Sequence, residues 1–507
     1  MTFTKTLLTG ALGLAVLVGS SGCDGFLDIN TDPDAATAVP GSLLFPGVVA
    51  DIGLTRAIEV GPGASTIAQQ WAANGLAGVF SRPERYIISP FTTGNFWRSN
   101  YTGALKNLNL LIQQSESTEE GATQRPNEAA QAKIFSAFAY YELTILFEDI
   151  PFSQALNAAE FPFPEFDSQE QVLRGIVDLA DEAIAQIDES DPNRIENGDV
   201  LYEGDLSEWI KLANSIKLQS LILLRGGGAD VDGEIDALIA NPNLIRENSS
   251  NAVIPFNDQS PNPVARLNQL FPFAYNYFYA GKPLVDLMNA LEDPRREAYF
   301  FNNADAGLGD TDEACTIVEN GNYVGIRAGG TVRPFCQASF VSRNFSLNGS
   351  PEQLVTAAQV LLLEAEYLAS KGQLDQADAK YRQGIQASFD YVAAAGGSDG
   401  DFEGSSAGDY IDSLPSLTSL SSQQAVAAVV EQEYIALFSR GIDAWTLVRR
   451  TGDVGRIDRV LPLNAQLSSF LTRLPYPEAN ELTANPSAAA QPPLTQPMFF
   501  MRNAAGS

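Results

Sequence analysis

The stretch that decides the fold is Glu128–Phe147, with the sequence EAAQAKIFSAFAYYELTILF. Four of its apolar residues, Ile134, Phe138, Tyr141 and Ile145, recur at the i, i+4, i+7, i+11 spacing of one helix face. This pattern predicts a long amphipathic helix, and a chain built from such helices is mainly α.

Further helical signals lie on both sides of this stretch. Phe96–Gln114 carries another amphipathic pattern, and Asp205 is placed to cap a helix that contains Trp209. Ser168-x-x-Gln171 and Ser421-x-x-Gln424 are capping boxes, and the second predicts a last long helix that runs to about Arg450. The sequence therefore predicts helices over most of the chain.

A helical hairpin is predicted near residue 371. Pro351–Ser370 and Leu374–Tyr391 flank a tight Lys371-Gly372 turn, and Ala377-x3-Tyr381 lies in the second helix, as in tetratricopeptide repeats. The fold class predicted from these patterns is mainly α, with tetratricopeptide-like helical hairpins, a loop-rich insert and little β structure.

The first residues predict export and a lipid anchor. Met1–Lys5 carries one positive charge, Leu7–Val18 is apolar, and Gly19-Ser-Ser-Gly22 precedes Cys23. This is a secretory signal pattern, and its end resembles a bacterial lipobox in which Cys23 becomes the acylated N-terminus. Ser20 departs from the usual Leu, so a plain signal peptide is the alternative.

The sequence predicts one helical body behind this anchor. Residues 1–22 are the signal peptide, 23–40 a lipid-anchored tether and 41–507 the body. Within the body, 227–350 is rich in Gly, Asn, Pro and aromatic residues and reads as a loop-rich insert, with only Lys282–Leu291 clearly helical. Residues 475–507 form an irregular tail that wraps the surface or is disordered.

Composition excludes several function classes. The 507 residues carry a net charge of −31, which disfavours binding to nucleic acid, and they include no histidine. Histidine-based nucleophile pairs and imidazole metal sites are therefore excluded, and no cofactor is predicted. With Cys23 acylated, Cys315 and Cys336 remain for a disulfide in an oxidising compartment, and two free buried thiols are the alternative.

One acidic loop resembles half of a calcium site. Asp399-Gly-Asp401-Phe-Glu403-Gly404 copies the first half of a calcium-binding loop, but Tyr410 stands where the bidentate Glu belongs. A plain acidic loop is the better interpretation, so no metal site is predicted.

Two aromatic-rich segments are candidates for a ligand face. One runs from Phe80 to Tyr101 and the other from Phe271 to Tyr279. Flat aromatic rings stack on the apolar faces of sugars, while Asn and Arg bind the hydroxyls; ordinary core packing is the alternative. The predicted ligand-binding residues are Arg82, Tyr86, Asn95, Trp97, Tyr275, Asn276, Tyr277 and Tyr279.

A family resemblance rests on six blocks in sequence order. They are Phe26-Leu-Asp-Ile-Asn-Thr-Asp-Pro-Asp34, Leu146–Ala155 with Glu148 in place of a usual Gly, Gly204–Leu218, Asp293-Pro-Arg295, Arg440–Trp445 with Arg449-Arg-Thr-Gly452, and Arg473–Glu478 with Asn480 and Asn485. Together they resemble the SusD/RagB-type outer-membrane lipoproteins.

The resemblance implies a helical body that binds nutrients, most often oligosaccharides, at the cell surface. It also implies a TonB-dependent outer-membrane barrel of the SusC type as partner, and no catalytic activity. A lipid-anchored hydrolase with a carboxylate pair, and a helical-repeat scaffold for envelope assembly without a small ligand, are the alternatives from other classes.

Overall fold

The computed structural model describes residues 39–73, 81–88, 90–119, 122–256, 278–301, 323–330, 338–342, 345, 351–395, 407–457, 461–477 and 484–503. Cys23, Tyr275, Asn276, Tyr277, Cys315, Cys336 and the loop Asp399–Gly404 lie outside the described residues. The predictions made for them therefore stay predictions.

Helices make up most of the described chain, as predicted. The α-helices are α1 (Gly41–Leu54), α2 (Gly61–Ile67), α3 (Pro90–Arg98), α4 (Lys106–Glu116), α5 (Pro126–Phe147), α6 (Gln169–Gln186), α7 (Leu206–Gly227), α8 (Asp232–Ala240), α9 (Lys282–Ala290), α10 (Arg296–Tyr299), α11 (Ala357–Ser370), α12 (Leu374–Ala394), α13 (Ala407–Ser413), α14 (Ser422–Ala436) and α15 (Gly441–Thr451). None of them is long and apolar enough to cross a bilayer.

The deciding stretch forms α5, and it is buried on every side rather than on one face. Its residues Ala129–Phe147 are all buried, because α4, α6 and α7 pack around it. The predicted amphipathic helix is therefore the central helix of the body. Its buried polar side chains need hydrogen-bond partners within the protein. Gln131, for example, donates to the carbonyl of Ile195 and accepts from the N–H of the same residue.

Helical hairpins are present where they were predicted. α11 and α12 pack antiparallel across a turn at Lys371–Gln373, in which Gly372 has φ +74°. Both predicted capping boxes, at Ser168 and Ser421, form, and Asp205 caps α7. The assignment of these hairpins to tetratricopeptide-type repeats stays a prediction.

Two helix boundaries differ from the predictions. The helix predicted from Ser421 to Arg450 breaks at Leu437–Arg440, where Ser439 has φ +65°, and α15 then begins. Gly441 is required there, since a Cβ at this position would lie 2.3 Å from the Ser65 amide of α2. The helix predicted from Pro351 begins only at Ala357, because Glu352–Val355 forms a strand.

The β structure is small but comes mostly from the insert. The strands are β1 (Trp71–Ala73), β2 (Ala252–Ile254), β3 (Phe278–Ala280), β4 (Phe300–Phe301), β5 (Phe340–Val341) and β6 (Glu352–Val355). One antiparallel sheet has the order β1-β3-β5-β4, and β2 pairs with β6. The insert also contains α8, a helix that the sequence analysis missed.

A buried charge cluster joins distant segments of the body. Arg56 forms ion pairs with Glu142 on α5 at 2.5 Å, with Glu352 on β6 at 2.6 Å and with Asp443 on α15. Arg440 lies 3.3 Å from Asp443 and donates to Leu354 and Gln359. Buried charges persist only when they are paired and hydrogen-bonded, so this cluster fixes how the four segments meet.

Candidate functional site

The pairing of β1 with β3 places two distant points of the chain side by side, one before the first aromatic segment and the other in the second. The first segment follows β1 in the chain and the second leads into β3. The strands are antiparallel, with Trp71 opposite Ala280 and Ala73 opposite Phe278. The end of β1 and the start of β3 are therefore side by side, although 204 residues lie between Ala73 and Phe278 in the chain.

A buried carboxylate fastens the next turn to this sheet end. Glu84 lies in the 3₁₀ turn Pro83–Arg85, is 3% exposed, and accepts a hydrogen bond at 2.8 Å from the backbone N–H of Ala73. Burial raises the pKa of Glu84 to about 7, although backbone hydrogen bonds from Ala73 and Gly329 and the charge of Arg85 oppose the shift. This turn holds Arg82, which is exposed, next to the sheet end.

Tyr86 and Tyr279, both predicted as stacking residues, are buried in this structure. Tyr86 ends the 3₁₀ turn with φ +62° and its ring meets Phe470 edge-on at 6.1 Å. Tyr279 lies within β3, is 2% exposed and packs against Phe340 with ring centroids 4.7 Å apart. These contacts cover the rings, so the geometry matches the core-packing alternative for both residues.

Asn95 and Trp97 lie on α3. Asn95 is half-buried, and its side chain is 3.5 Å from both Glu59 and Arg98. Trp97 is 5% exposed, and Phe166 stacks on it at 5.9 Å with an interplanar angle of 24°. A sugar ring cannot stack on the face of the Trp97 indole that Phe166 already covers.

An apolar cavity of about 280 Å³ lies beside Trp97. It opens toward Phe163, which is 51% exposed. Its walls are mostly apolar and aromatic, and they include Trp97, Tyr101, Leu156, Phe163, Phe166 and Asn485. The sequence analysis had placed Trp97 and Tyr101 in the first aromatic segment, but it missed the loop that supplies Leu156, Phe163 and Phe166.

A second cavity, of about 420 Å³, is polar and was not predicted. Arg450 lines it and makes a bidentate ion pair with Glu366, with both distances 2.7 Å, while Glu433 lies 2.9 Å away. Burial raises the pKa of Glu433 to about 8, against the opposing charge of Arg450. The only sequence signal for this cavity was the Arg449-Arg450 pair in one of the family blocks.

Two glutamates of α11, Glu364 and Glu366, are held in ion pairs. Glu364 is fully buried between Arg246 and Lys380, and Glu366 is held by Arg450. Within the described ranges, no three or more carboxylate or cysteine side chains gather in a way that could hold a metal ion.

Comparison with known proteins gives one family. Residues 49–477 match a SusD-like family model described as starch-binding and associating with the outer membrane. A search of curated proteins finds no match.

Solved structures share the fold. A SusD homologue from Bacteroides fragilis is 21% identical with a TM-score of 0.68, covering 92% of this chain and 100% of its own. A SusD/RagB family protein from Bacteroides thetaiotaomicron is 19% identical with a TM-score of 0.69, covering 87% and 93%. A chitin-binding SusD homologue from Flavobacterium johnsoniae is 19% identical with a TM-score of 0.65, covering 87% and 94%.

Proposed function

Because the chain belongs to the SusD-like family of starch-binding proteins that associate with the outer membrane, we propose that it is a cell-surface lipoprotein that binds oligosaccharides. It is anchored through Cys23 and hands its ligand to a TonB-dependent barrel of the SusC type. Members of this family are binding proteins rather than enzymes.

The observation that carries the proposal is the antiparallel pairing of Ala73 with Phe278. It sets the end of β1, which precedes the first aromatic segment in the chain, beside Phe278 of the second, and both segments are rich in aromatic and hydrogen-bonding residues. Ligand sites combine apolar walls with a few placed polar groups, and they favour loops held by a rigid frame. The sheet end and the Glu84 turn supply such a frame, on which Arg82 is exposed.

Relatives with this fold include a chitin-binding protein. Polymers of pyranose rings such as starch and chitin share flat apolar ring faces and many hydroxyls. The aromatic composition of the two segments and the exposed Arg82 suit both features, so glycans are the ligand class that we test first.

The experiment is an isothermal titration panel of maltooligosaccharides, chitin oligosaccharides, xylooligosaccharides and peptides against the mature protein and its Arg82→Ala variant. Binding of a glycan that weakens in the variant, with an unchanged melting temperature, supports the proposal. If no ligand of the panel binds, the alternative of a scaffold for envelope assembly is favoured. Sustained release of reducing ends from a bound glycan contradicts the binding-only role.

A further inference from the structure

The apolar cavity beside Trp97 has a preformed wall. Asp167 accepts hydrogen bonds from Phe152 N at 3.0 Å, from Ser153 N at 2.8 Å and from Ser153 Oγ at 2.7 Å, which closes the loop of residues 151–167. The Tyr101 hydroxyl donates to the Pro151 carbonyl at 2.7 Å. These bonds fix the cavity without a ligand, and a preformed cavity loses little ordering entropy on binding.

The tail closes the other side of the cavity. Asn485 Nδ2 donates to the Pro164 carbonyl at 2.8 Å, and Asn485 Oδ1 accepts from Ser487 N at 2.9 Å. The hydroxyl hydrogen of Tyr101 and one of the two amide hydrogens of Asn485 are thus used within the protein, and the other lining side chains are apolar or aromatic. A polyhydroxylated ring inserted here would leave several hydroxyls without partners, which is costly.

Trp97 has a hydrogen-bond donor for which the described residues supply no acceptor. The indole Nε1–H of Trp97 makes no hydrogen bond to any described residue, whereas those of Trp209 and Trp445 donate to Asp199 at 2.8 Å and to the Leu471 carbonyl at 3.1 Å. The rings of Phe147 and Tyr476 pack on Trp97 from outside the cavity lining. Tyr101 and Phe166, which line the cavity, also pack on this ring, and since Trp97 itself is a lining residue the cavity is the side from which we infer that an acceptor approaches the donor.

These features favour a ligand group that is apolar and carries one hydrogen-bond acceptor. An acetyl group meets both demands, because its methyl group suits the apolar walls and its carbonyl oxygen accepts from Nε1–H. A volume of about 280 Å³ lies just below the usual range for whole small-molecule ligands, so it fits a substituent rather than an oligosaccharide.

We propose that this cavity binds the acetyl groups of acetylated glycans. The group comes either from an N-acetylated amino sugar or from an O-acetyl ester on a plant-type polysaccharide. This inference rests on the proposed glycan-binding function and names the chemical feature by which the protein selects its ligands.

The experiment compares matched ligand pairs on the mature protein by isothermal titration. N-acetylglucosamine oligosaccharides are paired with their deacetylated forms, and acetylated xylooligosaccharides with the same oligosaccharides after mild alkali. We expect the acetylated member of at least one pair to bind about 3- to 10-fold more tightly, which corresponds to one hydrogen bond. The pair that shows the preference identifies the source of the acetyl group.

Two variants test the cavity itself. Trp97→Phe removes the donor and keeps a ring, and Phe163→Ala opens the exposed wall; both should abolish the acetyl preference. Leu43→Ala, at a residue 71% exposed and outside the cavity lining, is the control and should retain it. Phe163→Ala keeps the test valid if Trp97→Phe fails to fold.

The outcomes separate the two proposals. Glycans that bind without any acetyl preference, or a preference that survives both variants, overturn the acetyl site and leave the proposed function standing. Binding of apolar peptides that depends on Phe163, with no acetyl preference, also overturns it. Absence of all glycan binding overturns both.

Discussion

Glu148 and Arg473, 325 residues apart in the chain, form an ion pair that ties the C-terminal region to the end of α5. Glu148 also accepts from the Phe499 amide at 2.7 Å, and Arg473 donates to the Gln496 carbonyl at 2.7 Å. Glu148 has φ +76°, a conformation that favours Gly, and Gly is the residue usual at this place in the family block. The contacts of the Glu148 side chain with Arg473 and Phe499 thus offset the strain in its backbone.

We expect Glu148→Ala to lower the free energy of unfolding by about 3–5 kcal/mol, because Arg473 is fully buried and would lose its carboxylate partner. Glu148→Gly loses the same carboxylate but relieves the positive φ, so it should be more stable than the Ala variant by about 1 kcal/mol. Urea denaturation of both variants measures the difference. Equal stabilities would show that the backbone at Glu148 is not strained.

The stability of the Glu84 turn should depend on pH. The pKa of Glu84 rises from 4.5 to about 7 on folding because the carboxyl is buried, so between these values the folded protein binds a proton that the unfolded chain does not. The stabilisation is complete below pH 4.5 and is lost as the pH rises through about 7, by at most about 3 kcal/mol.

Glu84→Gln keeps an acceptor for the Ala73 amide and removes the titration. Its stability curve between pH 4.5 and pH 8.5 should therefore be flatter than that of the parent protein, as measured by urea denaturation at each pH. Glu189→Gln, at an exposed carboxylate, is the control. Parallel curves for parent and Glu84→Gln would contradict the assigned shift.

Aromatic residues of the two segments should sort into core and ligand-binding groups. Tyr86→Ala should cost about 3–5 kcal/mol of stability, because the ring is 4% exposed and packs on Phe470. Tyr277→Ala should instead lower glycan affinity by about 1–3 kcal/mol, by analogy with base stacking, and leave the melting temperature unchanged. If every variant that loses affinity also unfolds, the ligand face lies elsewhere.

Cys23→Ala should release a folded protein from the membrane fraction, since the predicted anchor is the acylated cysteine. Fractionation in a strain that lacks the partner barrel checks this without interference from the transporter. A variant that still sediments with outer membranes under those conditions is held by something other than lipid.

Cys315 and Cys336 should be linked to each other in protein purified from the envelope. Peptide mapping without reductant identifies the linked pair. Stoichiometric labelling of both thiols before reduction would instead support the free-thiol alternative.

Local signals in the sequence were sufficient for most of the helices. The capping residues Ser168, Asp205 and Ser421 each mark a helix start in the structure, because a cap acts through backbone groups two or three residues away. Such information is contained in the chain segment itself.

The features that sequence reasoning missed depend on long-range contacts. The break at Ser439 serves the close approach of Gly441 to α2, and β6 exists because β2 lies beside it. The rings of Phe470, Phe166 and Phe340 contact Tyr86, Trp97 and Tyr279, and these contacts could not be read from the sequence. A composition rich in aromatic residues gives no sign of which rings face each other.

The charge cluster around Arg56 makes distant segments of the body depend on one another for their stability. A fragment that ends before Asp443 would leave Arg440 without its carboxylate partner, and one that begins after Arg56 would leave Glu352 without its arginine. The helical hairpins are therefore not interchangeable modules that could be shuffled or shortened, as units of an open solenoid can be. A substitution at one member of the cluster should therefore be tolerated only when its charged partners change with it.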